Sequence, residues 1–326
     1  MAAEGIYFRD SNDVRVTCDA AVASGEVRQL KDGRAAVFKG QNAAASGDPT
    51  AWATAGVYKM PKTASAFVPL EGGRAYWDHS ANVVNFEKVN DRDFYLGRFA
   101  ADATYASTEC YVALNIDPAY DIDMLAGEGG YLSVVTGTAA VAAFGYPQPL
   151  GKSKMIQLTA TNEAQCIDML SVDKFATGSN WIAEFVIRPD VNGSTSAVDF
   201  NIGLANGTST TDADAITESL FLHVDGGSTN LALESDDGTT EVAATDTTFD
   251  LTAGSAVANR VEVWFDGRDL TDIQCYVNGV LALTSTVFKL DAATGPLGLL
   301  AHLEKTTGTA TGMFTIDRAC VRLAQQ

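Results

Sequence analysis

Apolar and polar positions along this chain trade places every second residue, in short runs bounded by Gly, Asn, Asp and Pro. That period of two is the signature of strands with one face buried. Examples are Val14-Arg15-Val16-Thr17-Cys18, Ala35-Ala36-Val37-Phe38, Trp181-Ile182-Ala183-Glu184-Phe185-Val186-Ile187, Arg260-Val261-Glu262-Val263-Trp264-Phe265 and Ile273-Gln274-Cys275-Tyr276-Val277. No stretch of three or four turns carries apolar residues at i, i+3, i+4 and i+7, so helices are not expected. Turn signals punctuate the runs. Ser24-Gly25 marks a tight turn, Asn192-Gly193 reads as a hairpin pair, and Asn278-Gly279 supplies the two positive φ angles of a type I′ turn. The pattern predicts an all-β chain.

Its organisation follows from where the pattern breaks. Asp117-Pro118-Ala119-Tyr120-Asp121-Ile122-Asp123 is polar and proline-punctuated, and it separates a compact set of short strands from a longer β region. The expected division is a domain over 1–116, a connector over 117–150, and a sandwich over 151–326. The connector is rich in Ala and Gly, and it either packs on the sandwich or joins it. The roughly 200 residues after the boundary suit one β-sandwich.

Composition adds limits. With 326 residues and 46% hydrophobic content the chain has material for two real cores. The least charged stretch, 131–151, is interrupted by glycines and prolines and makes a poor membrane span, for which about 20 strongly apolar residues are needed. The first residues lack the basic-then-apolar build of a signal peptide, so synthesis and retention in a cytoplasm are expected. Cys18, Cys110, Cys166, Cys275 and Cys320 are scattered and odd in number, with no CxxC pair, and read as reduced buried thiols.

Charge is unevenly distributed. Residues 1–117 hold 12 Lys/Arg and 15 Asp/Glu, a net of −3, whereas 118–326 hold 10 and 26, a net of −16. An acidic surface of that kind repels nucleic acid and anionic membranes, so neither is expected as a partner.

In the first domain, Val14–Cys18 leads to Ser24-Gly25-Glu26-Val27, then Gly56-Val57-Tyr58-Lys59-Met60-Pro61-Lys62. Gly72-Gly73-Arg74-Ala75-Tyr76-Trp77-Asp78 and Leu96-Gly97-Arg98-Phe99-Ala100 follow, and Val112-Ala113-Leu114-Asn115 closes the set. In that order these segments resemble the DUF2190 family of phage capsid decoration, or cement, proteins, over nearly all of residues 1–115. The resemblance implies a small β-barrel-like domain that adds to the exterior of an assembled head and stabilises it. It implies the major capsid protein as partner, homotrimers, and a place on the virion's outer capsid surface. On the residues alone, Tyr58, Tyr76, Trp77, Phe86, Phe94, Tyr95 and Phe99 read as core aromatics of a small barrel. Asp78-His79 reads as a turn. Ile6-Tyr7-Phe8, three large apolar residues near the start, read either as a first strand or as an arm that adds to a strand edge of the capsid or a neighbouring subunit.

In the second domain, Arg260-Val261-Glu262-Val263-Trp264-Phe265-Asp266-Gly267 leads to Cys275-Tyr276-Val277-Asn278-Gly279-Val280-Leu281. Met313 to Leu323 forms the closing strand. This run is similar to the concanavalin A-like and laminin-G-like jelly rolls. The fold class expected is therefore all-β, a small barrel-like domain followed by a jelly-roll sandwich, with the closing strand beside the first.

Candidate chemistry is sparse. Sandwich glycosidases need converging carboxylates. Here Glu262 and Trp264 share a strand face without a second carboxylate at i+2, so catalysis is not expected. Asp225, Asp236, Asp237 and Asn278 carry oxygen donors but are ordinary turn residues. His223 and His302 sit in apolar runs without metal-ligand spacing, and no phosphate loop is present. No catalytic residue, metal or cofactor is expected. The leading function is capsid decoration with an acidic sandwich displayed outward. The alternative is a glycan- or host-surface-binding module anchored by the first domain.

Overall fold

The computed structural model describes residues 13–125, 130–143, 153–193, 195, 197–254 and 256–323. The chain divides into two compact units, 1–119 and 120–326.

The strands of the first unit are β1 (Asp13–Thr17), β2 (Val27–Gln29), β3 (Ala35–Phe38), β4 (Pro49–Ala53), β5 (Val57–Pro61), β6 (Arg74–Asp78), β7 (Val83–Asn85), β8 (Phe94–Phe99) and β9 (Glu109–Leu114). They form two antiparallel sheets, ordered β1-β4-β3-β2 and β5-β9-β8-β6-β7. Together these make the small barrel-like body. Phe38 and Trp52 pack beneath the first sheet with ring centroids 5.5 Å apart. Phe67 is buried beside Phe86 and Phe99, at 5.3 and 5.9 Å.

Trp77, Phe86, Phe94 and Phe99 are core residues as the alternation implied. Tyr58, Tyr76 and Tyr95 are not: they are only half-buried. Tyr76 and Tyr95 meet edge-to-face on the sheet surface at 5.5 Å, and the Tyr95 hydroxyl donates to the Ile116 carbonyl. A phenol that keeps its oxygen near water can cap a core without entering it. Asp78-His79 is a turn, with Asp78 Oδ1 accepting from the N–H groups of Ser80 and Ala81.

The second unit opens with β10 (Ile122–Asp123), β11 (Tyr131–Thr136), β12 (Ala140–Ala143), β13 (Lys154–Gln157), β14 (Gln165–Ser171), β15 (Phe175–Ala176), β16 (Trp181–Val191), β17 (Val198–Ala205) and β18 (Glu218–Asp225). It continues with β19 (Asn230–Asp237), β20 (Glu241–Asp250), β21 (Val261–Asp266), β22 (Gln274–Val277), β23 (Val280–Leu281), β24 (Pro296–Lys305) and β25 (Met313–Leu323). One sheet runs β12-β13-β25-β16-β21-β22-β23, with β10 added beside β25. The other runs β11-β14-β24-β17-β18-β19-β20, with β15 added beside β24. This is a jelly-roll sandwich, and the closing strand β25 lies between β13 and β16.

The two sheets face each other through one shared core. Phe200 of β17 and Phe314 of β25, one from each sheet, stack with centroids 3.9 Å apart and planes 3° from parallel. Residues 122–123, 131–136 and 140–143 all add strands to these sheets.

Two turn readings part company. At Asn278-Gly279, φ is 49° and 77°, and Val277 pairs with Val280 across a two-residue turn. Asn192-Gly193 is not a hairpin, because β16 continues through Pro189 to Val191 and pairs with β21 and β25, whereas β17 pairs with β18 and β24. The chain there crosses from one sheet to the other. Local turn chemistry specifies a change of direction and cannot specify which strand is met afterwards.

Candidate functional site

Alternation on the β11–β20 sheet decides which side chains leave the core. Ile167, Met169, Leu299, Ala301, Leu303, Phe200 and Ile202 point into it. Their neighbours Cys166, Asp168, His302, Glu304, Asp199, Asn201, His223 and Asp225 therefore share the opposite face. The antiparallel register sets them in rows. Cys166 lies opposite Glu304, Glu304 opposite Asp199, and Asp199 opposite Asp225. In the next row Asp168 lies opposite His302, His302 opposite Asn201, and Asn201 opposite His223.

This polar face is covered in part by the 206–217 segment. Ala213 and Ile216 pack on Leu170, Phe221 and Leu300, and the Cys166 thiol donates to the Ser209 carbonyl at 3.3 Å. Beneath it Asp168 and His302 are fully buried. His302 Nδ1 is 2.8 Å from Asp168 Oδ1 and 3.8 Å from Cys166 Sγ, while Nε2 is 3.6 Å from Glu304 Oε2. Burial opposes a charge on this imidazole. The partners Asp168, Cys166 and Glu304 outweigh it and hold His302 well above its ordinary range.

His223 is ringed by acids. Nε2 lies 3.4 Å from Asp199 and 3.5 Å from Asp225, and Nδ1 lies 3.4 Å from Glu234 and 3.9 Å from Asp214. Burial again works against the charge, but Glu234, Asp199 and Asp214 raise His223 to about 10. Burial, chiefly, pushes both Asp199 and Asp214 up to about 7. A buried imidazolium among four carboxylates is a charge-compensated cluster, and the same donor set is one a cation can use.

The histidines are thus ringed by potential ligands although their sequence spacing shows none. Glu304 and Asp225 follow their histidines at i+2 on the same strands, and Asp214 lies in the covering segment. The other partners sit on neighbouring strands, up to 136 positions away in the case of Cys166 and His302. Of the four oxygen donors read as turn residues, three behave so. Asp236, Asp237 and Asn278 accept from N–H groups of Gly238, Thr239 and Glu262. Asp225 instead belongs to the His223 cluster.

On the other sheet, Glu262 accepts from the Trp264 indole at 2.7 Å, and a second carboxylate does stand near them. Glu184 of β16 is the direct neighbour of Trp264, a cross-strand position that i+2 counting does not reach. Both acids are tied up: Arg318 lies 3.4 Å from Glu262 and 3.7 Å from Glu184, and Arg322 and the Tyr120 hydroxyl also bind Glu184. All five cysteines are buried, and none is in a disulfide. Ile6, Tyr7 and Phe8 lie outside the described residues.

Two β units joined in one chain, a small barrel-like body and a larger sandwich, define the class as a modular all-β protein. Residues 8–114 match the family model described as phage cement protein, a span that ends with β9 and takes in the strands of the first unit. No curated protein matches the chain. Among solved structures, it is similar to the Emp47p carbohydrate recognition domain at 10% identity, covering 62% of this chain and 94% of that one, with a TM-score of 0.39. It is similar to carbohydrate binding module CBM66 from Bacillus subtilis at 14% identity, covering 59% and 95%, TM-score 0.33. LamAcat from Zobellia galactanivorans matches at 13% identity, covering 52% and 77%, TM-score 0.36.

Proposed function

We propose that this is a virion structural protein whose first unit docks on the exterior of a phage capsid and whose second unit is displayed outward. The observation that carries this reading is the match of residues 8–114 to the phage cement family, because that span coincides with one compact unit. The charge distribution supports it. The first unit is close to neutral and the acidic excess lies in the second, so a shell coated with such chains presents a like-charged, soluble surface. The major capsid protein is the partner, and a homotrimer at three-fold positions is the arrangement proposed. Many weak copies on one symmetric shell give avidity, and binding only the assembled state stabilises it by mass action.

The competing reading, recognition of a host-surface glycan by the sandwich, calls for an exposed aromatic beside polar loops. Among the described residues, the exposed tyrosines are Tyr105 and Tyr111, both in the first unit. That favours display over sugar recognition.

The test is co-sedimentation of the purified chain with mature capsids that lack it. Saturable binding, retained by 1–117 and lost by 118–326, is the expected result. Binding carried by 118–326 alone contradicts the proposal.

A further inference from the structure

The deepest cluster on the covered sheet face has three kinds of donor in one place. Cys166 and Asp168 are two apart on β14 and so project to the same side, and His302 of β24 stands directly opposite Asp168. Their Sγ, Oδ1 and Nδ1 atoms all lie within 4.8 Å of one another. All three residues are at most 3% exposed. Within these three side chains the buried Asp168 Oδ2 makes no hydrogen bond. Leaving buried polar atoms unsatisfied is costly, on the order of 1–3 kcal/mol each, which is why such sites usually have a further ligand.

We propose that Cys166, Asp168 and His302 form a binding site for one zinc-class divalent cation. The donor set is the first argument. A thiolate, an imidazole and a carboxylate select a borderline-soft metal such as Zn2+ over Ca2+ or Mg2+, which take oxygen alone. Geometry is the second. Bonds of about 2.3 Å to sulfur and about 2.0 Å to nitrogen at a tetrahedral angle place S and N roughly 3.5 Å apart. Cys166 Sγ and His302 Nδ1 are 3.8 Å apart. The Asp168–His302 pair, now hydrogen-bonded at 2.8 Å, opens by roughly half an ångström to admit the ion.

Surroundings are the third argument. Glu304 faces the other ring nitrogen of His302 at 3.6 Å, the position from which a carboxylate orients a metal-bound histidine through Nε2–H and leaves Nδ1 to ligate. The Ser209 carbonyl, 3.3 Å from Sγ, is placed to complete or close the site from the covering segment. Charge balances as well. Binding releases the thiol proton and the Nδ1 proton, and a thiolate with a carboxylate then neutralises a dication. The site is enclosed, so its role is structural: it fastens the 206–217 segment to the sheet.

The full chain is stripped with a chelator and titrated with Co2+, then with Zn2+. One Co2+ per chain is expected, with a thiolate-to-cobalt charge-transfer band in the near ultraviolet that Zn2+ abolishes. Cys166→Ser removes the band, and Glu304→Gln weakens binding by roughly tenfold to a hundredfold, the usual effect of losing such an orienting group. X-ray absorption at the zinc edge of the unmutated chain is expected to show one sulfur with nitrogen and oxygen ligands, and it needs no variant to fold. No metal uptake, a zinc shell without sulfur, or a band that survives Cys166→Ser each overturns the proposal. So does uptake that is lost in His223→Gln and kept in Cys166→Ser, because the ion then sits in the neighbouring acid cluster.

Discussion

Lys62 and Lys305 meet the same need in the two units. Each buries its ammonium and donates to three backbone carbonyls: Thr63, Tyr105 and Ser107 for Lys62, and Thr159, Thr161 and Ala310 for Lys305. A loop that turns inward leaves carbonyls without a ladder partner, and one cation satisfies three of them at once. Replacing Lys305 by Met keeps the stem and removes the donor, so a loss of about 2–3 kcal/mol is expected in urea unfolding. Gly97 is constrained more sharply. Its φ is 149°, and a Cβ there stands 2.0 Å from the Ala113 carbonyl oxygen. Gly97→Ala forces β8 away from β9, and the first unit is expected to lose at least about 2 kcal/mol while the second keeps its unfolding midpoint. Lys62, Gly97 and Asn115 each fall in a segment singled out in the first unit's sequence, and each holds backbone in place. Asn115 is itself left-handed, at φ 55°, and its side chain bonds both backbone atoms of Ala35 and the carbonyl of Thr54, tying the end of β9 to the other sheet. Their chemistry was visible in the sequence; their contacts, up to 80 residues apart for Asn115, were not.

Strand type was legible throughout, because a period of two is a local property. Pairing was not. The order β14-β24-β17-β18 brings His302 between Asp168 and Asn201, and no window of sequence contains that row. The candidate site was missed for this reason: each histidine reads alone as one polar residue in an apolar run. A usable signal was present in the alternation itself, since His223 with Asp225 and Cys166 with Asp168 are same-face pairs at i and i+2. The His223 cluster has a consequence for stability. In the folded state His223 titrates at about 10 instead of near 6.5, and Asp199 and Asp214 at about 7 instead of near 3.8. All three shifts are upward, so the folded state binds more protons than the unfolded one, and stability falls as pH rises. The acids account for the decline up to about pH 7, and His223 for the part from about 6.5 to 10. Urea midpoints of the second unit are expected to drop between about pH 5 and pH 9, and His223→Gln is expected to flatten the alkaline half of that drop. A midpoint that rises across this range contradicts the assignment.

At the scale of the whole molecule the charge is unevenly shared between the two units. Sixteen of the nineteen net negative charges belong to residues 118–326. Acidic bodies held side by side on a shell repel one another over about 10 Å at 0.1 M salt, and over longer distances in more dilute buffer. Full-length chains are therefore expected to coat capsids less completely at low ionic strength, as read by stoichiometry after sedimentation, and 1–117 is expected to lose most of that salt dependence. The most direct measurement is an electron cryomicroscopy difference map of mature capsids lacking the protein, before and after saturation with the full chain. The account predicts density at symmetry-related outer positions, with the barrel-like unit against the shell and the sandwich outside it. Capsids that stay bare, or that carry the sandwich against the shell, contradict it.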